Sequence, residues 1–295
     1  MEIIVTGAAG FVGRQLCQHL SGRGHEVIGT YHTNRPAVES VAERQLDITN
    51  NQQVKAVLSS VNPDIVIHAA AIVDADKCET APKRAWETNL KGTENVVRAC
   101  ERVRTKVILL SSSFVFSGSA PQYVESSSRK PVNVYGETKV AAEDTVCNAD
   151  IGSLIVRIDQ PYDWSADWQS DSMVEWVLRR LDEEGSVEVF SDWYNNPIHN
   201  ADVANFVGVL LEGECHGTYH VVGPEYISRY HWARRIAAVF GYDIDRVKPT
   251  SSSKADLPAK RPNTNLSLTR LISETGQAPR ETYYHMLQMA ETTSQ

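Results

Sequence analysis

Long apolar runs are missing from this 295-residue chain. None approaches the ~20 residues that a membrane helix needs, so no membrane partner is expected. Cysteine is sparse: Cys17, Cys78, Cys100, Cys147 and Cys215 are scattered, odd in number and without a Cys-x-x-Cys pair. That gives no support to a disulfide frame or structural zinc and suits a reducing compartment. Positive charge is in deficit, with a net charge of −8, the wrong sign for a protein that neutralises phosphate backbones. No nucleic-acid partner is expected. The start, Met1-Glu2-Ile3-Ile4-Val5, runs into a glycine turn instead of a leader. The expectation is a cytoplasmic protein. What is present is ordinary for a globular chain, 42% apolar and 22% charged, ample for one large domain or two modest ones.

Short β-branched runs alternate with amphipathic segments over the first half. Strands are predicted at Glu2–Thr6, Glu26–Tyr31, Arg44–Ile48, Asp64–Ala69, Lys106–Ser112 and Ser153–Ile158. Helices are predicted near Gly10–Ser21, Asn50–Ser60, Pro82–Arg102 and Val134–Asn148. The strands read as nearly continuous apolar runs, as expected when both faces are covered. This rhythm implies an α/β fold, a doubly wound parallel (Rossmann) sheet, over residues 1–159. After Asp159 aromatics crowd between Tyr162 and Tyr194, and helical patterns at Met173–Glu184, Asn200–Glu212 and Tyr230–Phe240 alternate with loops. Residues 160–295 are read as mostly a smaller, discontinuous substrate-binding lobe, with a strand near 217–222 returning to the sheet. Lys248–Pro262 reads as a loop and the aromatic cluster as packing between lobes.

Thr6-Gly7-Ala8-Ala9-Gly10-Phe11-Val12-Gly13 follows the first strand and opens the first helix. Glycines at 7, 10 and 13 meet the needs of a dinucleotide turn: a tight bend, close backbone approach to a pyrophosphate, and close helix–strand packing. The phosphates would meet free N–H groups at a helix N-terminus. An NAD-preferring fold carries an acid at the end of the second strand, about 20 residues on. Here that place reads Thr30-Tyr31-His32-Thr33-Asn34-Arg35. With no carboxylate to repel a 2′-phosphate and with His32 and Arg35 near it, NADP(H) is expected over NAD(H).

Tyr135 and Lys139 lie four apart in a segment with helical character, so they share a face. Alone, such a pair is either a surface pair or an acid beside the cation that tunes it. Ser111-Ser112-Ser113-Phe114-Val115-Phe116 ends the fifth strand, where ligands bind in open α/β sheets. Serine, tyrosine and lysine after a glycine-turn start resemble the extended short-chain dehydrogenase/reductases. Over nearly the whole chain the resemblance is closest to the dTDP-4-dehydrorhamnose reductase family. It is carried by His68-Ala69-Ala70-Ala71, Thr88-Asn89-Leu90-Lys91-Gly92-Thr93, Asn200-Ala201-Asp202, Gly217-Thr218-Tyr219-His220 and Arg261-Pro262-Asn263.

The resemblance implies an NAD(P)H-dependent reductase of a 4-keto sugar on a nucleotide diphosphate. Ser112 would bond the substrate carbonyl, Tyr135 would protonate it, and Lys139 would lower the tyrosine's pKa and hold the nicotinamide ribose. Phe11 and Val12 would offer N–H groups to the pyrophosphate, Asp47 and Ile48 would flank the adenine, and Ala69, Ala70, Ala71 and Asn89 would lead to the nicotinamide. Ser113 replaces the family's aspartate, Phe114 its tyrosine, and Asp159-Gln160 its polar–tryptophan pair. Ser113 and Gln160 are expected to face the substrate, and Arg261 to meet a substrate diphosphate or a structural carboxylate. Expected partners are the nucleotide sugar and, beyond it, at most a second copy in a homodimer. A sugar-nucleotide epimerase and a non-catalytic NADP-binding subunit, like the regulatory β subunit of methionine adenosyltransferase, are the alternatives. Cys215, His216 and His220 are spaced poorly for a metal, and none is expected.

Overall fold

The computed structural model describes residues 1–293. Strands β1 (Glu2–Thr6), β2 (Glu26–Tyr31), β3 (Ala42–Gln45), β4 (Ile65–His68), β5 (Lys106–Ser112) and β6 (Ser153–Ile158) are joined by Gly217–His220. They form one seven-stranded sheet in the order Gly217–His220, β6, β5, β4, β1, β2, β3. Every neighbouring pair is parallel. Helices α1 (Phe11–Gly22) and Asn200–Glu212 bury Leu16, Leu20, Val203 and Phe206 on one face. Helices α2 (Asn51–Val61), Gly92–Val103 and Val134–Cys147 bury Val54, Leu58, Val96 and Val146 on the other. Coverage of both faces explains why Ile3, Ile4 and Val5 run unbroken and are all fully buried.

Strand order reverses between β1 and β4, the switch point at which ligands bind in such sheets. Register then fixes what meets there. Thr6 pairs with Thr30 and with His68, so Gly7 and Ala69 leave the sheet at one level, beside Tyr31 at the end of β2. Ser112 pairs with Ile158, which sets Ser113 beside Asp159.

The second core gathers Tyr162, Leu181, Val187, Trp232, Ile236 and Met286. Two expectations are corrected. Part of Lys248–Pro262 is regular structure and not loop, because Val247–Thr250 pairs in parallel with Val187–Phe190 and Ser252–Lys254 forms a 3-10 turn. Its alternation of one buried and several polar residues is too short to read as a strand from sequence. The aromatic cluster also divides: Tyr162 is fully buried in the lobe, whereas Trp168, Trp176 and Trp193 line a cleft against the sheet edge. No helix among the described residues is long and apolar enough to cross a membrane.

Candidate active site

The cleft at the switch point has a volume of about 1120 Å³, more than the ~300–1,000 Å³ of an ordinary small-molecule pocket. Its floor is the glycine turn. Gly7 has φ +69°, and a Cβ there would come within 2.7 Å of the Ala70 Cα. A Cβ on Gly13 would lie 2.2 Å from the Gly7 carbonyl oxygen, so α1 can sit this close only without a side chain. Gly10 caps α1 by its backbone alone, with no side-chain cap bond to the first N–H groups. The first N–H groups, those of Phe11 and Val12 included, remain for an anion. These are the features a dinucleotide pyrophosphate requires, and the turn fits one. Beneath it Thr6 Oγ1 meets His68 Nδ1 at 2.7 Å, and His68 Nε2 meets Thr93 Oγ1 at 3.0 Å. Burial, then the Lys139 charge, lowers the His68 pKa to about 3 and keeps this ring neutral.

His32, Asp47, Ile48, Ala69, Ala70 and Ala71 all line the cleft. Burial opposes ionisation of Asp47, yet Thr49, donating to Oδ1 from both its N–H (2.9 Å) and its hydroxyl (2.7 Å), holds the carboxyl below its usual value. Arg35 stands exposed at the rim, 3.9 Å from Glu43. The amide of Asn89 clasps the backbone of Ile72, accepting from N–H at 2.7 Å and donating to C=O at 2.9 Å, and it also donates to Thr138 Oγ1. With both ends of its amide engaged and only 2% of its surface exposed, Asn89 ties down the Ala69–Ile72 segment, which lines the cleft. It sits in a π-helical turn, Glu87–Lys91, a distortion that often marks functional sites.

Ser112 ends β5, and its Oγ accepts from the Phe114 N–H at 3.2 Å. The helix Val134–Cys147 brings Tyr135 and Lys139 to the same place. Asn133 caps it, accepting from Gly136 N–H at 2.8 Å. A Cβ on Gly136 would lie 2.2 Å from the Phe114 carbonyl oxygen, so this glycine lets the tyrosine helix close on the strand end. Its position directly after Tyr135 was the one sequence signal for that contact. The Phe114 and Tyr135 rings meet edge-on at 5.7 Å.

The electrostatics correct one expectation. Burial pushes the Tyr135 phenol up to about 12, against the opposing pull of the Ser112 hydroxyl. Lys139 donates from Nζ to the Leu110 carbonyl at 2.6 Å, and burial, opposed by Glu143, lowers it to about 8. In the ligand-free protein, desolvation therefore outweighs any tuning of the phenol by the lysine. Below them Glu143 is fully buried and bonds Arg157 Nε and Nη2, both at 2.8 Å, and Ser111 Oγ at 2.5 Å. This bidentate pair ties the tyrosine helix to β5 and β6.

Of the residues expected at the substrate, Gln160 lines the cleft, held at φ +41°. Ser113 does not. It is fully buried and donates to Asp159 Oδ1 at 2.8 Å, because the turn after β5 points it inward. Asp159 also accepts from the Asn196 N–H at 2.8 Å, yet burial raises its pKa to about 6. Arg261 takes the structural alternative, its Nη2 bonding Asp76 at 2.5 Å. Trp193 and Arg229 also line this end and carry no motif that sequence reading could have caught. His220 is fully buried beside Arg157, and no metal-holding cluster exists among the described residues.

Comparison with known proteins follows this geometry. The family model described as RmlD substrate binding domain matches residues 1–294. The dTDP-4-dehydrorhamnose reductase of Mycolicibacterium smegmatis is 29% identical, over 98% of this chain and 84% of that protein. Methionine adenosyltransferase 2 subunit beta of Rattus norvegicus is 26% identical, over 92% of this chain and 81% of that protein. The crystal structure of a Bacillus anthracis dTDP-4-dehydrorhamnose reductase in complex with NADP superposes with a TM-score of 0.85 at 26% identity, covering 99% of each chain.

Proposed function

The chain belongs to the RmlD substrate binding domain family, and from that premise we propose that it is an NAD(P)H-dependent reductase of a 4-keto sugar carried on a nucleotide diphosphate. The observation that carries this is the convergence of Ser112, Tyr135 and Lys139 at the carboxyl end of β5, beside a cleft floored by a side-chain-free glycine turn. The turn and the N–H groups of Phe11 and Val12 hold the pyrophosphate, Asp47 and Ile48 the adenine, and Ala69 to Ala71 the wall toward the nicotinamide. The missing acid after β2, with His32 and Arg35 in its place, selects NADP over NAD.

Reduced nicotinamide, when bound, supplies the hydride. Ser112 orients the substrate carbonyl by hydrogen bonding, and Tyr135 gives its phenolic proton to the carbonyl oxygen. Burial keeps that phenol protonated in the neutral range but, by pushing it up to about 12, makes it a weak acid, so transfer of its proton requires a cation that favours the phenolate. Lys139 stands behind it on the same helix face. The test is NADPH oxidation against a panel of nucleotide-linked 4-keto sugars. One NADPH consumed per sugar reduced upholds the reading. Turnover without net oxidation indicates an epimerase. Silence across the panel together with a stoichiometric co-purifying enzyme indicates a binding subunit.

A further inference from the structure

We propose that Arg229 is a specificity-determining residue whose guanidinium takes an oxyanion of the substrate, either a phosphoryl of the diphosphate or a carboxylate on the sugar. The inference rests on the proposed reading of the cleft as a nucleotide-sugar site. Arg229 begins the helix Arg229–Val239 and lines the cleft. Its guanidinium lies 4.2 Å from the centre of the Trp193 ring and 5.7 Å from that of Trp232. Its donors are poorly used. Nη1 reaches the Met173 thioether at 3.1 Å, a weak acceptor, Nη2 reaches the neutral Gln160 amide, and Nε is buried with no partner.

Elsewhere this chain neutralises such groups. Arg157 pairs with Glu143, Arg261 with Asp76 and Arg235 with Glu225. Arg229 has no carboxylate within ion-pairing distance among the described residues. Asp159 attracts it through space, but the Asp159 oxygens are committed to Ser113, Asn195 and Asn196. A desolvated cation without a counter-ion is costly to keep, and such groups in clefts mark ligand sites. A second guanidinium, that of Arg261, lies 5.6 Å from the same Trp193 ring, so one indole carries two cations in a chain of net charge −8. Planar guanidinium donors match phosphate and carboxylate oxygens in pairs. Gln160, which carries the second accessible polar group here, would pass from holding Arg229 to contacting the sugar.

The experiment measures binding to NADP-saturated protein by calorimetry, so it is independent of turnover and separates failure of this assignment from failure of the reductase reading. The probes are thymidine and uridine diphosphate for the phosphoryl source, and UDP-glucuronate against UDP-glucose for the carboxylate source. Arg229→Met keeps a filler against the tryptophans without the charge, and Arg229→Lys keeps the charge. At least a tenfold rise in the Kd of the bare diphosphates in Arg229→Met, with Arg229→Lys within about threefold of wild type, assigns the phosphoryl. Unchanged diphosphate binding with loss of a wild-type preference for UDP-glucuronate assigns the carboxylate. Arg229→Met binding every probe as wild type does, or wild type binding none, overturns the proposal. NADPH affinity is the control for folding. Should Arg229→Met lose it, Arg229→Gln is read by the same criteria.

Discussion

The two ends of the cleft are built by different rules. At the end proposed to hold the cofactor the surface is backbone: Gly7, Gly10 and Gly13 carry no side chain, the start of α1 has no side-chain cap, and strand register sets the level. At the end proposed for the substrate the lining is side chains from three separate segments, Gln160 after β6, Trp193 in a loop and Arg229 on a later helix. The contrast teaches where function tolerates change. A backbone-made site is dictated by local geometry and breaks when any Cβ is added. A side-chain-made site can be rewritten one residue at a time while the fold survives.

The sharpest way to separate chemistry from both ends is Tyr135→Phe. The ring and its contact with Phe114 stay, and only the proton donor is lost. One placed acid is worth about 10²–10⁴-fold in rate, so kcat should fall by that factor while the NADPH Kd stays within a few-fold. Retention of wild-type turnover on an accepted substrate would sink the assignment.

Asp159 tests the substrate end through stability. Burial raises it from 3.8 to about 6, so between those values the folded state keeps a proton that the unfolded chain gives up. Stability is therefore lost as pH rises through that window, by up to about 3 kcal/mol. Asp159→Asn should remove the slope, whatever constant offset its altered hydrogen bonds add. Urea midpoints of both proteins from pH ~4 to ~7 read this directly, and parallel curves would refute it.

Gly7→Ala tests the other end. At φ +69°, with Ala70 backbone 2.7 Å from the new Cβ, strain of about 1–3 kcal/mol is expected, together with a loss of NADPH affinity of tenfold or more. Fluorescence titration and thermal melts check both. A variant with wild-type affinity would mean that the turn is structural only.

The same division decides what sequence could reveal. The sheet, the glycine turn and the Tyr135–Lys139 helix were legible because each depends on spacing of two, three or four residues. The burial of Ser113 was not, because the partner that pulls it inward, Asp159, lies 46 residues away. The clasp made by Asn89 was hidden for a related reason. Its position is marked by motif, but its role as a clasp depends on Ile72 and Thr138. Arg229 left no trace, since an arginine at a helix start looks alike whether a carboxylate awaits it or not.

The smallest effect belongs to an exposed side chain at the end proposed for the cofactor. Arg35 is three-quarters exposed, 3.9 Å from Glu43 and 6.0 Å from the Tyr31 ring centre, so it is free to turn toward a 2′-phosphate. An exposed charge pair contributes about 0.2–1 kcal/mol, which limits Arg35→Ala to a loss of about five-fold in NADPH affinity. NADH lacks the phosphate, so its affinity should not move. Raising the salt should shrink the wild-type advantage as screening increases. The measurement is the ratio of NADPH to NADH dissociation constants for both proteins at low and high ionic strength. If the ratio is unchanged by the substitution, Arg35 is a solvated rim charge and any preference for NADP must come from the absence of an acid alone.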